Sequence, residues 1–328
     1  MRFGVLSTAK IAREDVVPAI KKSNHEVVAI ASRNSDRAAD VAAELDIPRS
    51  YGSYEQLLAD DDLDAVYNPL PNALHAEWTR KAADAGLHVL CEKPLAENAE
   101  EAAALHEYCD ERGVTLMEAF MYRFHPRTER AADIVREQLD GVHAVDASFK
   151  FALRGRPDDI RLDPDLAGGS VMDVGCYAIS AARLFLGEPN RVYARTRDSR
   201  DSGVDTDMAA LLEYDDGPTA RVASGFDTPA TQTYRVEGEN GWLEVETAFD
   251  IAPGEQGEIE YEIDGRHVTE QFDPVDQYTL EVEHFAESIA SGTVPRIDAA
   301  ETVANMAVID AVFESAANGS RVDVKRPY

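Results

Sequence analysis

The chain has 328 residues, enough for two separately cored domains, and carries 62 acidic against 32 basic residues for a formal charge of -30. A surface of that sign excludes the phosphate backbone of nucleic acid as a partner, and without a secretory leader or an apolar run of transmembrane length the protein is expected to be soluble and cytoplasmic, with no membrane partner. Three cysteines, Cys91, Cys109 and Cys176, are too few and too scattered for a disulfide framework or a zinc site, so reduced core thiols and no metal are expected.

Only seven of the basic residues are lysine, and the acid is spread over the chain, as at 60–62, 97–101 and 198–207, rather than gathered in a tail. Such an envelope repels itself in dilute buffer. At molar salt the screening length shrinks to roughly 3 Å and the repulsion largely disappears, which points to a halophilic protein.

From residue 2 to about 121 short apolar runs alternate with helical segments. Strands are predicted over 2–7, 27–32, 65–68, 88–91 and 115–119, with helices over 13–22, 35–45, 53–58, 74–85 and 99–112 between them. The alternation predicts an α/β fold, a doubly wound parallel Rossmann sheet over residues 1–122. Beyond it, residues 123–328 read as an α+β domain with a large, mostly antiparallel sheet. Its strands are predicted over 142–153, 192–196, 208–214, 219–225, 232–237, 241–245, 258–263 and 267–272, with turns such as 215–217 and 264–265. One helix interrupts the sheet, over 170–186, and two close the chain, over 277–290 and 299–318.

The loop after the first strand is a candidate cofactor site, Ser7, Thr8, Ala9, Lys10 and Ile11, although small residues at 7, 9 and 12 replace the three glycines usual there. Small side chains still let backbone approach a pyrophosphate, but glycine's positive-φ freedom is lost. At the end of the second strand stand Ser32, Arg33 and, one turn on, Arg37, with no carboxylate to select NAD. A hydroxyl and guanidinium groups suit a 2'-phosphate, so NADP is expected over NAD.

After the third predicted strand, Leu70, Asn72 and His75 follow prolines that fix the loop; Asn72 is placed to cap the next helix and His75 to approach cofactor or substrate. The run 86–95 then carries the strongest signal. Leu87, Val89, Leu90 and Cys91 form a strand buried on both faces, and Glu92 and Lys93 follow at its carboxyl end, where a doubly wound sheet faces its ligand. Pro94 restricts Lys93 to extended geometry and admits a cis bond. Farther on, an extended 121–126 would turn Arg123 and His125 to one side.

The interrupting helix supplies a second constellation. Gly168, Gly169 and Ser170 offer a flexible start and a capping hydroxyl, and Asp173 and Tyr177 lie four apart on one helical face, with Gly175 between them thinning the wall for a nicotinamide ring.

Together, Glu92-Lys93-Pro94, Ser32-Arg33, residues 121–126 and 168–177 resemble the glucose-fructose oxidoreductase and inositol dehydrogenase (Gfo/Idh/MocA) family over nearly the whole chain, nearest to its NADP-dependent aldose dehydrogenases of the D-xylose 1-dehydrogenase type and its dihydrodiol dehydrogenases. The resemblance implies hydride transfer between nicotinamide C4 and a carbinol carbon, the C1 of an aldose such as D-xylose or D-glucose. Tyr177 would be the acid or base, Lys93 would lower the phenol's pKa and bind a sugar hydroxyl, and Asp173 would orient Lys93 or a neighbouring hydroxyl. Arg123, His125, Arg156 and Arg161 would line the substrate side, with Arg123 and Glu92 also near the cofactor. Reduction of a keto sugar or action on a diol is the alternative chemistry, and a non-catalytic NADP and sugar sensor the alternative class. Alternating apolar residues such as Val222 and Val236 suggest face-to-face sheet dimerisation, in a homo-oligomer that is a dimer or a tetramer.

The charge argument has a direct check. Dialysis from molar salt into dilute buffer should abolish activity and unfold the chain by circular dichroism; a protein that stays folded and active has no need of the screening.

Overall fold

The computed structural model describes residues 1–156, 159–215 and 217–327, so the middle of the expected 215–217 turn, Asp216, lies outside the described residues. The chain forms two compact units, Met1–Met121 with Asp276–Thr302, and Tyr122–Val275 with Val303–Tyr328.

In the first unit, strands β1 (Arg2–Val5), β2 (Glu26–Ala31), β3 (Arg49–Tyr51), β4 (Ala65–Asn68), β5 (His88–Glu92) and β6 (Leu116–Ala119) form one sheet in the order β3-β2-β1-β4-β5-β6. Every pairing is parallel. The crossovers are α1 (Val17–Lys22), α2 (Ser35–Glu44), α3 (Tyr54–Leu58), α4 (His75–Asp84) and α5 (Ala99–Asp110). The strand order reverses between β1 and β4, which puts the ligand crevice at the carboxyl ends of these strands. Val89, Leu90 and Cys91 are wholly buried in β5, as a doubly covered strand requires.

Asn34, Ser53 and Asn98 cap α2, α3 and α5 by accepting the backbone N–H three residues on. Local details differ from the sequence reading, which expected no strand at β3. A π-type turn, Ala12–Val16, precedes α1, so the helix itself starts at Val17-Pro18. Asn72 does not cap α4 with its side chain: it lies in a 3₁₀ turn, Asn72–Leu74, that feeds the helix directly.

The return segment 276–302 belongs to this first unit although the sequence reading assigns it to the second domain. Its helix α8 (Gln277–Ser291) places Phe285 6.2 Å from Phe3, ring to ring, both wholly buried, and the Thr279 hydroxyl donates to Ala19 O. Local periodicity carries no information about which core an amphipathic helix joins.

The second unit opens with α6 (Pro126–Gln138) and β7 (Ala144–Lys150), and α7 (Cys176–Leu186) follows. Strands β8 (Arg191–Arg197), β9 (Asp207–Glu213), β10 (Thr219–Gly225), β11 (Thr231–Gly238), β12 (Gly241–Val245), β13 (Gly257–Ile263) and β14 (Arg266–Phe272) complete the sheet. The last helix, α9 (Ala299–Asn318), leads to the edge strand β15 (Val322–Asp323). The nine strands run β14-β13-β12-β11-β7-β10-β9-β8-β15, antiparallel except for β7 and β10.

Val222 and Val236 are 2% and 0% exposed. They belong to the inner face, so they give no support to the sheet-face dimer inferred from them; the outer face instead carries ion pairs such as Arg221 with Asp146 and Arg235 with Glu244. All three cysteines are free and buried. Among the described residues, no helix is long and apolar enough to cross a membrane, and no group of three or more His, Cys, Asp or Glu is placed to hold a metal.

Candidate active site

The cofactor half lies at the carboxyl edge of the parallel sheet. Ser7 leaves β1 with φ 158°, close to fully extended, so the loop does not demand glycine there. Its hydroxyl accepts the Ala9 N–H at 3.0 Å. Lys10 is exposed and pairs with Glu14 at 3.4 Å, while Thr8 is buried. Arg37 crosses from α2 to donate from Nε to the Thr8 hydroxyl at 2.8 Å, which ties the loops after β1 and β2 together. Ser32 is buried and its hydroxyl accepts the Asn34 N–H at 3.2 Å, whereas Arg33 is exposed beside the Tyr54 phenol, where it opposes the burial that raises that phenol's pKa. A serine hydroxyl and two arginines following the strand end, with no carboxylate there, are the donor types a 2'-phosphate needs.

At the end of β5, Glu92 accepts the Tyr67 O–H at 2.6 Å and Lys93 is half-buried. The Lys93-Pro94 bond is cis. Leu95 N–H, next along, donates to Glu118 Oε1 at 2.9 Å. His75 does not open toward a ligand. Its ring is wholly buried, with Nδ1 2.7 Å from Pro94 O and Nε2 2.6 Å from Leu70 O, and burial above all lowers its pKa to about 4.

The other candidates belong to the second unit. Arg123 lies in a 3₁₀ turn, Met121–Phe124, rather than in extended chain, so it and His125 do not alternate along a strand. His125 is wholly buried, and its Nδ1 accepts the Arg127 N–H at 3.1 Å as the cap of α6. The histidine is therefore spent on a helix start. Arg156 is exposed, 3.8 Å from Asp159.

Arg161, by contrast, donates from Nε to Asp173 Oδ2 at 2.7 Å and pairs with Asp159 at 3.3 Å; the Asp173 charge holds its guanidinium above the usual range. The pair fixes Asp173. Tyr177 is 3% exposed and its ring packs among Phe149, Phe249 and Tyr122 at centroid distances of 5.4, 5.6 and 5.8 Å.

The segment carrying Asp173 begins as a π-type turn, Val171–Gly175, before α7, and Ser170 is not its side-chain cap. Asp205 does that work. Its Oδ2 accepts the Ser170 O–H at 2.7 Å and the Val171 N–H at 2.9 Å. A Cβ on Gly169, where φ is 111°, would fall against Asp205 Oδ1, and one on Gly168 would come within 2.6 Å of Arg161 O. The glycine pair is thus a requirement of close approach. A Cβ on Gly175 would come within 3.2 Å of Ser224 Oγ and 3.3 Å of Met208 Cε, so its missing side chain serves packing on the sheet. Asp205 and Glu118 had no sequence signal beyond being acids in an acid-rich chain.

Residues 1–120 match the family model of an oxidoreductase family with an NAD-binding Rossmann fold, and residues 129–244 match the GFO/IDH/MocA C-terminal domain. The chain is 60% identical over 324 residues to D-xylose 1-dehydrogenase (NADP(+)) 2 of Haloferax volcanii, spanning 99% of this chain and 100% of that protein. A crystal structure of a 3-ketoreductase from Actinomadura kijaniata with NADP and TDP-benzene is 35% identical, with a TM-score of 0.91 over 96% of this chain and 97% of that one. The same ketoreductase has been solved with a tyrosine replaced by phenylalanine and with a lysine replaced by alanine or glutamate. An aldose-aldose oxidoreductase from Caulobacter crescentus, with glycerol, is 28% identical, with a TM-score of 0.90 over 98% of this chain and 99% of that one.

The Asp205 contacts generate a prediction within the second unit. Asp205→Ala leaves the buried Val171 N–H without its acceptor and should cost about 1–3 kcal/mol, read as a lower denaturant midpoint in molar salt. Gly169→Ala should cost at least as much, since it adds backbone strain to the clash.

Proposed function

The chain belongs to the Gfo/Idh/MocA family of oxidoreductases, and from that premise we propose that it oxidises an aldose, D-xylose or D-glucose, at C1 to the lactone with NADP. The observation that carries this reading is the 60% identity, along the full length of both chains, to a dehydrogenase named for D-xylose and NADP. The protein is an NADP-dependent oxidoreductase acting on CH–OH groups.

Bound NADP would supply the hydride acceptor for the sugar carbon. Tyr177 takes the proton of the C1 hydroxyl as general base, its ring held by the aromatic cluster. Lys93 is assigned as a donor to a sugar hydroxyl. Asp173, fixed by Arg161, orients a neighbouring hydroxyl. Ser32, Arg33 and Arg37 would hold the 2'-phosphate, and Ser7 to Ile11 with Leu70, Asn72 and Glu92 would complete the cofactor side. Arg123 and Arg156 are assigned to the substrate rim, where arginine can grip hydroxyls through paired donors. A second reading, reduction of a keto sugar by the same groups, has its support in the likeness to the 3-ketoreductase.

The acidic envelope and the Haloferax relative support a cytoplasmic setting at high salt. We further assign a homo-oligomer to the outer face of the nine-stranded sheet, where Tyr193 is 39% exposed in the single chain. Light scattering in molar salt should give a multiple of 36.0 kDa, and a mass of one chain would remove this assignment.

Purified protein in molar salt, given NADP and a panel of aldoses, should produce NADPH absorbance, with NAD a poorer acceptor. Lys93→Met and Tyr177→Phe should each lower kcat by about 10²-fold or more, and the double variant should lose much less than the product of the two, as groups acting on one step do. No turnover on any aldose, with turnover on a keto sugar and NADPH, would transfer the assignment to the second reading.

A further inference from the structure

We propose that His75 is a positioning residue: it ties the Lys93-Pro94 turn to the loop after β4, and so sets where the Lys93 ammonium stands, without touching cofactor or sugar. The inference rests on the reading that Lys93 acts at the reacting carbon.

Both ring nitrogens are committed to backbone. Nδ1 is 2.7 Å from Pro94 O and Nε2 is 2.6 Å from Leu70 O, and the side chain has no exposed surface left for a ligand. Carbonyl oxygens only accept, so the ring hydrogen-bonds to either one only through the nitrogen that carries the proton. Pro94 has no N–H of its own, and the turn is therefore held through its carbonyl by His75 and through the Leu95 N–H by Glu118. The ring's base is fixed as well. Asn68, at the end of β4, donates from Nδ2 to His75 O and to the Thr79 hydroxyl, both at 3.3 Å, and its Oδ1 accepts the Leu70 N–H at 3.4 Å.

A neutral imidazole carries a single N–H. Burial lowers His75 to about 4, the two carbonyls opposing it and the Lys93 charge assisting, so near neutral pH one proton serves two acceptors. The tautomer decides which loop is gripped, and each half of the clamp has its own mimic: the amide nitrogen of asparagine falls near Nδ1, that of glutamine near Nε2.

The experiment compares His75→Gln and His75→Asn in molar salt, with folding followed by thermal midpoint and near-ultraviolet circular dichroism, and NADPH binding by fluorescence titration. His75→Gln, which releases Pro94, should lower kcat about 10²-fold while NADPH affinity stays within about threefold, the size of loss that a misplacement near 1 Å produces. His75→Asn, which keeps Pro94, should hold kcat within about fivefold of the parent. The proposal is overturned if His75→Gln keeps full kcat, if NADPH affinity falls in step with kcat, which would put the ring on the cofactor, or if both variants lose activity only in proportion to the folded fraction. Lys93→Met, run alongside, separates the two claims: full activity in that variant sinks the role of Lys93, whereas its loss together with an unaffected His75→Gln sinks only the role of His75.

Discussion

A charge at the end of a doubly buried strand holds its position only if the backbone that carries it is held from both sides. Strand β5 is paired with β4 along one edge and β6 along the other, and its last rung is Glu92 with Ala119. Beyond that rung the sheet supplies no further hydrogen bonds. Backbone groups buried without water must find partners elsewhere, and the partners come from side chains of the flanking elements: His75 on α4 for Pro94 O, and Glu118 on β6 for Leu95 N–H. These two contacts hold the backbone that follows Lys93.

The second unit solves the corresponding problem for a phenol by different means. Tyr177 is short of flexible bonds and large in area, so packing suffices to fix its ring, and three aromatic neighbours within 6 Å do so. What packing does not fix is the start of the helix that bears it, where unpartnered N–H groups face inward. Asp205 accepts there from both Ser170 and Val171, and Gly168 and Gly169 remove the side chains that would keep that carboxylate and the Arg161 carbonyl away. Polar caps thus hold the backbone of both constellations, and apolar burial holds the elements between the caps.

Much of this was legible in the residues. Alternation of buried runs with amphipathic helices gave the parallel sheet, the apolar run before Glu92 marked the strand end, and four-residue spacing linked Asp173 to Tyr177. The illegible parts share a physical reason, namely that they depend on contacts distant in sequence. The pairing of Val222 and Val236 with the inner face depends on a helix more than thirty residues away, and the return of α8 to the first core depends on a ring at position 3. Asp205, the cap of a turn thirty-four residues upstream, is one acid among 62.

The two histidines show the same limit in sharper form. Each stands next to a proline-bearing segment near a strand end, a place where a titratable ring invites a functional reading, and each is committed to backbone. Proline explains why. It removes an N–H and forbids the local hydrogen bonds that would use neighbouring carbonyls, so Leu70 O, which precedes Pro71, and Pro94 O are left as acceptors in a dry region. Imidazole is small and rigid and, when neutral, donates from whichever nitrogen carries the proton, which lets it serve one such carbonyl at a time without bringing in a permanent charge. The conformational restriction that prolines impose on these loops therefore creates the need that His75 fills, and the histidine is part of the loop's own hydrogen bonding.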